Sequence, residues 1–279
     1  MVGRPRGQLA LYLAGLSCWL ILVGSLIGID QRVAAARTAT DQQQIPPLEP
    51  PSTLALRLTS VGYTRAATDS VWLATIQYFG GGNPNERYSS LPALIQTVVE
   101  LDPDFEYPYL FGGLVLPWQG DAPAALALLD AGQARFPQNA LLPYYAGAIA
   151  RLNLQDNQRA AAYFQRAARL PGAPPAAALL AGVSLTEGDD RQVALAWWEG
   201  VIASTDNEQI RERATIWRDH LQLVLTLEEL VAVTNQSSGQ PIKQLSDLVS
   251  RGILTKEPVS PLGATLTLNA TTGRVELEQ

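Results

Sequence analysis

Few residues in this chain could do chemistry, and their spacing limits what that chemistry would be. There is one histidine, His220, and one cysteine, Cys18. Cys18 lies inside an apolar run, so no intramolecular disulfide can form. One histidine and one such cysteine do not furnish a zinc site of the usual types. They also leave no Cys–His nucleophile pair and make any Ser–His–Asp arrangement depend on His220 alone. General acid–base work would fall to carboxylates such as Asp69, Asp102, Asp104 or Glu106. Asp102 and Asp104 flank Pro103 in a turn, where acidic residues also cap the following helix. Asp69 stands four positions after Arg65, the spacing of a helix-surface ion pair. His220 precedes an apolar position on a helical stretch and reads as a surface histidine. Gly80-Gly81-Gly82-Asn83-Pro84 has neither a preceding strand nor a following Lys-Ser/Thr, so it reads as a helix stop and not as a phosphate loop. The expectation is a non-enzyme: no catalytic centre, no metal site and no cofactor.

Charge narrows the partners. The formal net charge is −6 over 279 residues. The first forty residues hold Arg4, Arg6, Arg32 and Arg37 against Asp30, leaving 16 basic and 25 acidic residues, a net −9, in the remainder. An acidic surface does not neutralise phosphates, so a nucleic-acid partner is not expected. Hydrophobic residues make up 47% of the chain, enough for a core and against global disorder.

The elements that must position these residues begin with a basic tip, residues 1–8. Residues 9–29, LALYLAGLSCWLILVGSLIGI, contain no charge. As a helix they would reach ~31 Å, enough to cross a hydrocarbon core. Arg4 and Arg6 before the run, with Asp30 and Arg32 nearly cancelling after it, place the N-terminus inside and the rest outside. The expected location is a bacterial inner (cytoplasmic) membrane, single-pass, with an extracytoplasmic C-terminal domain. Two alternatives stand beside the uncleaved anchor: cleavage near Ala34-Ala35-Ala36, or lipidation at Cys18. Gly24 and Gly28 form a small-xxx-small pair that would bring two such helices together, a route to a homo-oligomer. Residues 30–53 form a Pro/Gln-rich stalk, with Pro46-Pro47 and Pro50-Pro51 enforcing extended backbone.

From Leu54 apolar residues take helical spacing as far as Phe79. Further helices are expected over 91–101, 107–115, 122–135, 143–152, 158–169, 175–185 and 191–202, and then over 209–233, a polar-faced helix able to close the array within a capping segment, 207–236. Within residues 54–206 one pattern recurs. Tyr109, Gly112, Gly113, Ala125, Leu129, Gly132 and Pro137 make one copy. Tyr144, Gly147, Ala148, Ala160, Phe164, Ala167 and Gly172 make the next, and Ala178, Ala181, Gly182, Ala194, Trp198, Val201 and Asp206 a third. Copies starting at Trp72, Glu106, Leu141 and Pro175 are 34, 35 and 34 residues apart. Gln119-Gly120-Asp121, Gln155-Asp156-Asn157 and Glu187-Gly188-Asp189-Asp190 supply similar turns in register. A helical hairpin that cannot bury its apolar face alone does so by stacking on its neighbours.

The pattern resembles the tetratricopeptide repeat family, in a membrane-anchored bacterial form. The implied fold is an all-α helical-hairpin solenoid with an N-terminal transmembrane helix. Residues 237–279 add a helix over 241–251 closed by Gly252, then strands over 265–268 and 274–277 that form a small C-terminal β-hairpin. This tail resembles the C-terminal module of pilin-like secretion proteins, with Ser260 where that module carries Asp before its second proline. A two-stranded hairpin is marginal alone, so it is expected to dock on the last helices.

In the repeat family the fifth and ninth positions of each repeat line a groove. The resemblance places Ile76 and Gly80, Leu110 and Leu114, Tyr145 and Ile149, and Leu179 and Val183 there, with Trp118 nearby. A carboxylate clamp would need Lys, Arg and Asn at these positions, and none is present. The groove is apolar, and two readings stand side by side: it takes a partner helix or extended segment, or it is filled by this chain's own stalk or tail or curls too tightly to open. The function this implies is a membrane-tethered scaffold that holds protein partners, in the narrower version during envelope or secretion-complex assembly. The alternative is a structural, self-associating membrane protein.

Overall fold

The computed structural model describes residues 52–81, 88–188, 191–238 and 240–278. The expected span 9–29 with Gly24 and Gly28, the stalk up to Pro51, Gly82 to Pro84, and Asp189-Asp190 lie outside the described residues. Among the described residues, no helix is long and apolar enough to cross a membrane.

The described chain is all-α apart from one two-stranded antiparallel sheet. Its helices are α1 (Thr53–Thr59), α2 (Thr64–Gly81), α3 (Leu91–Leu101), α4 (Tyr107–Val115), α5 (Ala122–Arg135), α6 (Leu141–Leu152), α7 (Asn157–Ala168), α8 (Ala176–Thr186), α9 (Arg191–Ser204), α10 (Glu208–Ser238) and α11 (Leu245–Ser250). Strands β1 (Leu266–Asn269) and β2 (Arg274–Leu277) follow. Asp121 and Asp156 accept hydrogen bonds from the backbone N–H groups of Ala124 and Arg159, so the acidic turns work as N-caps of α5 and α7. Each satisfies a donor that the first helical turn would otherwise leave unpaired. Proline near the start of α3, α4 and α5 fits the same logic, since the missing N–H is not needed there.

Successive helices pack on one another along the chain, and alternate helices also touch: α4 with α6, and α8 with α10. The recurring small residues explain how. A Cβ on Gly113 would come within 2.6 Å of the Leu129 side chain, on Gly147 within 2.8 Å of Phe164, and on Gly182 within 2.4 Å of Trp198. In each of these three pairs of helices a glycine on the first admits a large buried side chain of the second. Leu129, Phe164 and Trp198 are all essentially fully buried. Close interdigitation of this kind gives the interior its density, and volume added to either side would force the helices apart.

Two expectations about local structure change. The single helix expected from Leu54 to Phe79 is broken: Val61 and Gly62 take positive φ (45° and 91°) and turn α1 away from α2. The helix expected over 241–251 shortens to α11, where Asp247 accepts from the Lys243 and Gln244 backbone and fixes the start. Its end is as expected. Gly252 is left-handed (φ 71°), and Gly252 N–H and Ile253 N–H bond back to Val249 and Leu248 carbonyls in a Schellman arrangement. The hairpin pairs Leu266 with Leu277 and Leu268 with Val275. It docks as expected: Leu266 and Val275 join Val224, Leu227 and Val231 of α10 and Leu245 and Leu248 of α11 in one core.

Candidate functional site

The residues expected to line the groove separate into three kinds. Ile76, Leu114 and Trp118 are exposed, Trp118 at 79%. Leu110, Tyr145, Leu179 and Val183 are half-buried, packed at the edges of inter-helix cores. Ile149 is buried, in the core that holds Tyr109, Leu142 and Ala146. That placement corrects the expectation for Ile149, and the cause is register. Helices α4, α6 and α8 start at 107, 141 and 176, spacings of 34 and then 35, the reverse of the order assumed from sequence. The packed pairs agree: Gly113–Leu129 and Gly182–Trp198 are 16 apart, whereas Gly147–Phe164 are 17 apart. The extra residue therefore falls between α6 and α7, where Gln155 takes positive φ (55°). In the corrected register Tyr144 and Ala148, both half-buried, stand where Tyr145 and Ile149 were placed.

An aromatic group supports the first part of this surface. Trp72 of α2 meets Phe105, Tyr107 and Phe111 edge-on at 5.3–6.4 Å between ring centres. Phe79 packs on Phe111 and Tyr88 at 5.2 and 5.3 Å. Such geometries hold α2 rigidly against α4 and leave Tyr107, Leu114 and Trp118 facing outward.

Three of the four carboxylates considered for acid–base work have other occupations. Asp102 accepts from the Asp104 backbone N–H, Asp104 pairs with Arg135 of α5, and Glu106 accepts from Asn139. Arg151 binds Glu187 through two hydrogen bonds of 2.6 and 2.8 Å, and the Tyr163 hydroxyl donates to Asp130. Apart from the local Asp102–Asp104 bond, these contacts span 31–36 residues, about one period, and so tie one helix pair to the next.

A concavity lies where the hairpin meets the array. A cleft of about 430 Å³ is lined by Glu187, Arg191, Trp217, His220 and β2 residues Arg274–Leu277, among others. Sequence reasoning put His220 on the helix surface; it is only 4% exposed. Its Nδ1 lies 2.9 Å from the Ser260 hydroxyl, which also accepts from Leu262 N–H. Ser260, the position departing from the pilin-like pattern, is thus the one that meets His220. Burial, and secondarily the Arg191 charge, hold His220 below the usual histidine range. Arg191 of α9 pairs with Glu228 of α10 and donates to the Val275 carbonyl, while Glu228 accepts from Val275 N–H at 2.9 Å. The outward edge of β2 is therefore closed at Val275 by a half-buried ion pair, which protects an otherwise open strand. Sequence inspection missed this triad. The available signal was Glu228 itself, an acid set among Val224, Leu227 and Val231 on the apolar face of α10.

A histidine held neutral by burial makes stability depend on pH. The unfolded chain takes up the proton first as pH falls, so stability is complete above the unperturbed value near 6.5. It declines below that value and levels off only beneath the lowered folded one. Denaturant midpoints are expected to fall between pH 7.5 and 5.5, with His220→Gln flattening that part of the profile. An equal slope in the variant would remove His220 as the cause.

The chain matches no protein-family model and no curated protein.

Proposed function

We propose that the protein is a membrane-tethered helical-repeat scaffold of tetratricopeptide type, holding protein partners outside the cytoplasmic membrane. Envelope or secretion-complex assembly is the narrower version of the same reading. The observation that carries it is a set of exposed apolar side chains, Tyr107 and Leu114 on α4 and Trp118 on the 3-10 turn Leu116–Gln119 that follows it, in a regularly packed array. Rigid presentation matters because a surface that is already ordered loses little conformational freedom on binding. Aromatic and aliphatic side chains exposed together suit the apolar face of a partner helix or an extended segment. The uncharged run 9–29 and the proline-rich spacer supply the tether in this reading.

Its test is a crosslinked pulldown with mass spectrometry, comparing the native chain with a Leu114→Asp/Trp118→Asp double variant. Both positions are exposed, so the helical content should not change. Losing two aromatic or aliphatic anchors should reduce recovery of specific partners at least tenfold, since such anchors contribute about 2 kcal/mol or more each. Equal recovery from both forms would place the binding surface elsewhere.

A further inference from the structure

Helix α1 is amphipathic in the wrong sense for water. Thr53, Leu56 and Ser60 form its half-buried side, and Thr53 and Arg57 bond to Glu100 at the end of α3. At 100° per residue, Leu54, Ala55 and Leu58 fall on the opposite side, and all three are exposed. The elbow that follows adds Val61 and Tyr63. Among the described residues, seven large apolar side chains are more than two-thirds exposed, and four of them, at 68–81%, are Leu54, Leu58, Val61 and Tyr63. Residues 52–68 contain Arg57 and Arg65 and no acid, in a chain that is otherwise acidic.

We propose that this outward face rests in the interfacial layer of the bilayer, Leu54, Leu58 and Val61 entering the apolar boundary. This extends the tethering reading above and rests on it. Three observations select lipid over a protein occupant. The chain outside the described residues ends at Pro51, directly before α1, and holds the uncharged run 9–29. The 23 residues between that run and α1 reach ~70 Å as a polyproline-type spacer and less when bent, so the spacer permits contact with the surface from which it emerges. The leucine–tyrosine composition matches interfacial segments, with apolar side chains in the acyl boundary and the exposed Arg65 near anionic headgroups. Tyr63 supplies the amphipathic ring favoured at that depth.

The experiment uses the full chain with Cys18→Ser, carrying Leu58→Cys, Val61→Cys or, as a control far along the array, Leu152→Cys, each labelled with an environment-sensitive fluorophore. The proteins are reconstituted in vesicles of phosphatidylethanolamine and phosphatidylglycerol, and probed with aqueous iodide and with lipids bearing a shallow spin-label quencher. Labels at 58 and 61 are expected to be quenched several-fold more by the lipid, and less by iodide, than the label at 152. Labels at 58 and 61 as open to iodide as the control overturn the proposal. So does shielding from iodide without lipid quenching, which would instead mean a protein occupant such as a second copy. Alkaline extraction of the same vesicles reports the span separately. A chain that resists extraction while its label at 58 stays in water sinks the elbow contact alone. A chain that is stripped although its label was lipid-quenched beforehand retains the contact and loses the span.

Discussion

Replacing Trp198 with alanine is expected to cost about 3–5 kcal/mol of stability, the range for removing a large buried aromatic. Trp198 is fully buried, stacks on Trp217 with ring centres 5.9 Å apart, and donates from Nε1 to the Thr186 hydroxyl at 3.0 Å. It therefore joins α8, α9 and α10 at once. Its removal leaves a cavity that three helices cannot close together. Domains of this size are stable by only about 5–15 kcal/mol, so this one change takes a large share. Urea unfolding followed by far-ultraviolet circular dichroism measures the shift in midpoint. Because neighbours in a repeat array supply much of each other's stability, the loss should be greatest at the C-terminal end of the array.

The facing glycine provides a control for the packing argument. A Cβ on Gly182 would sit 2.4 Å from the Trp198 ring, too close without movement of one helix. Gly182→Ala should itself destabilise by about 1–3 kcal/mol. In the Trp198→Ala background the same substitution fills part of the cavity, so its penalty should largely vanish. Additive penalties would mean that the glycine matters through backbone conformation and not through close approach.

The second large effect is expected at Glu228. With 14% of the Arg191 side chain and 21% of the Glu228 side chain exposed, the pair is mostly shielded from water. Removing one partner strands the other charge, at about 3–5 kcal/mol in such settings. Glu228→Ala also removes the acceptor for Val275 N–H, leaving the β2 edge unpaired. The hairpin and α11 should loosen from α10, which limited trypsin digestion at Arg251 and Lys256 would detect as faster release of the tail. Glu228→Gln retains an acceptor for the strand and should lie between alanine and native. Digestion of Glu228→Ala at the native rate would show that the apolar core around Leu248 and Leu266 holds the tail unaided.

What the sequence determined by itself was the helical content, the period and the punctuation. Capping aspartates, prolines at helix starts and Gly252 act within a few residues, so their effect is readable locally. The recurring glycine and large side chain were visible as a pattern because every helix pair solves the same packing problem. Tertiary structure alone decided the register between pairs. The one extra residue falls near Gln155, after α6 and not before it, so α6 keeps the 34-residue step from α4 and presents Tyr144 and Ala148 in place of Tyr145 and Ile149; a 34-residue average does not reveal which turn absorbs it. It also decided which polar residues meet: His220 with Ser260 are 40 residues apart, and Arg191 with Val275 are 84 apart. Such pairings depend on how the tail folds back over α10, a choice made by burying Leu248, Leu266 and Val275 together. The break at Val61 belongs to the same class. Its apolar spacing continues the helical pattern, yet the contacts of α1 with Glu100 and the left-handed turn at Val61-Gly62 end the helix and leave its apolar side outward.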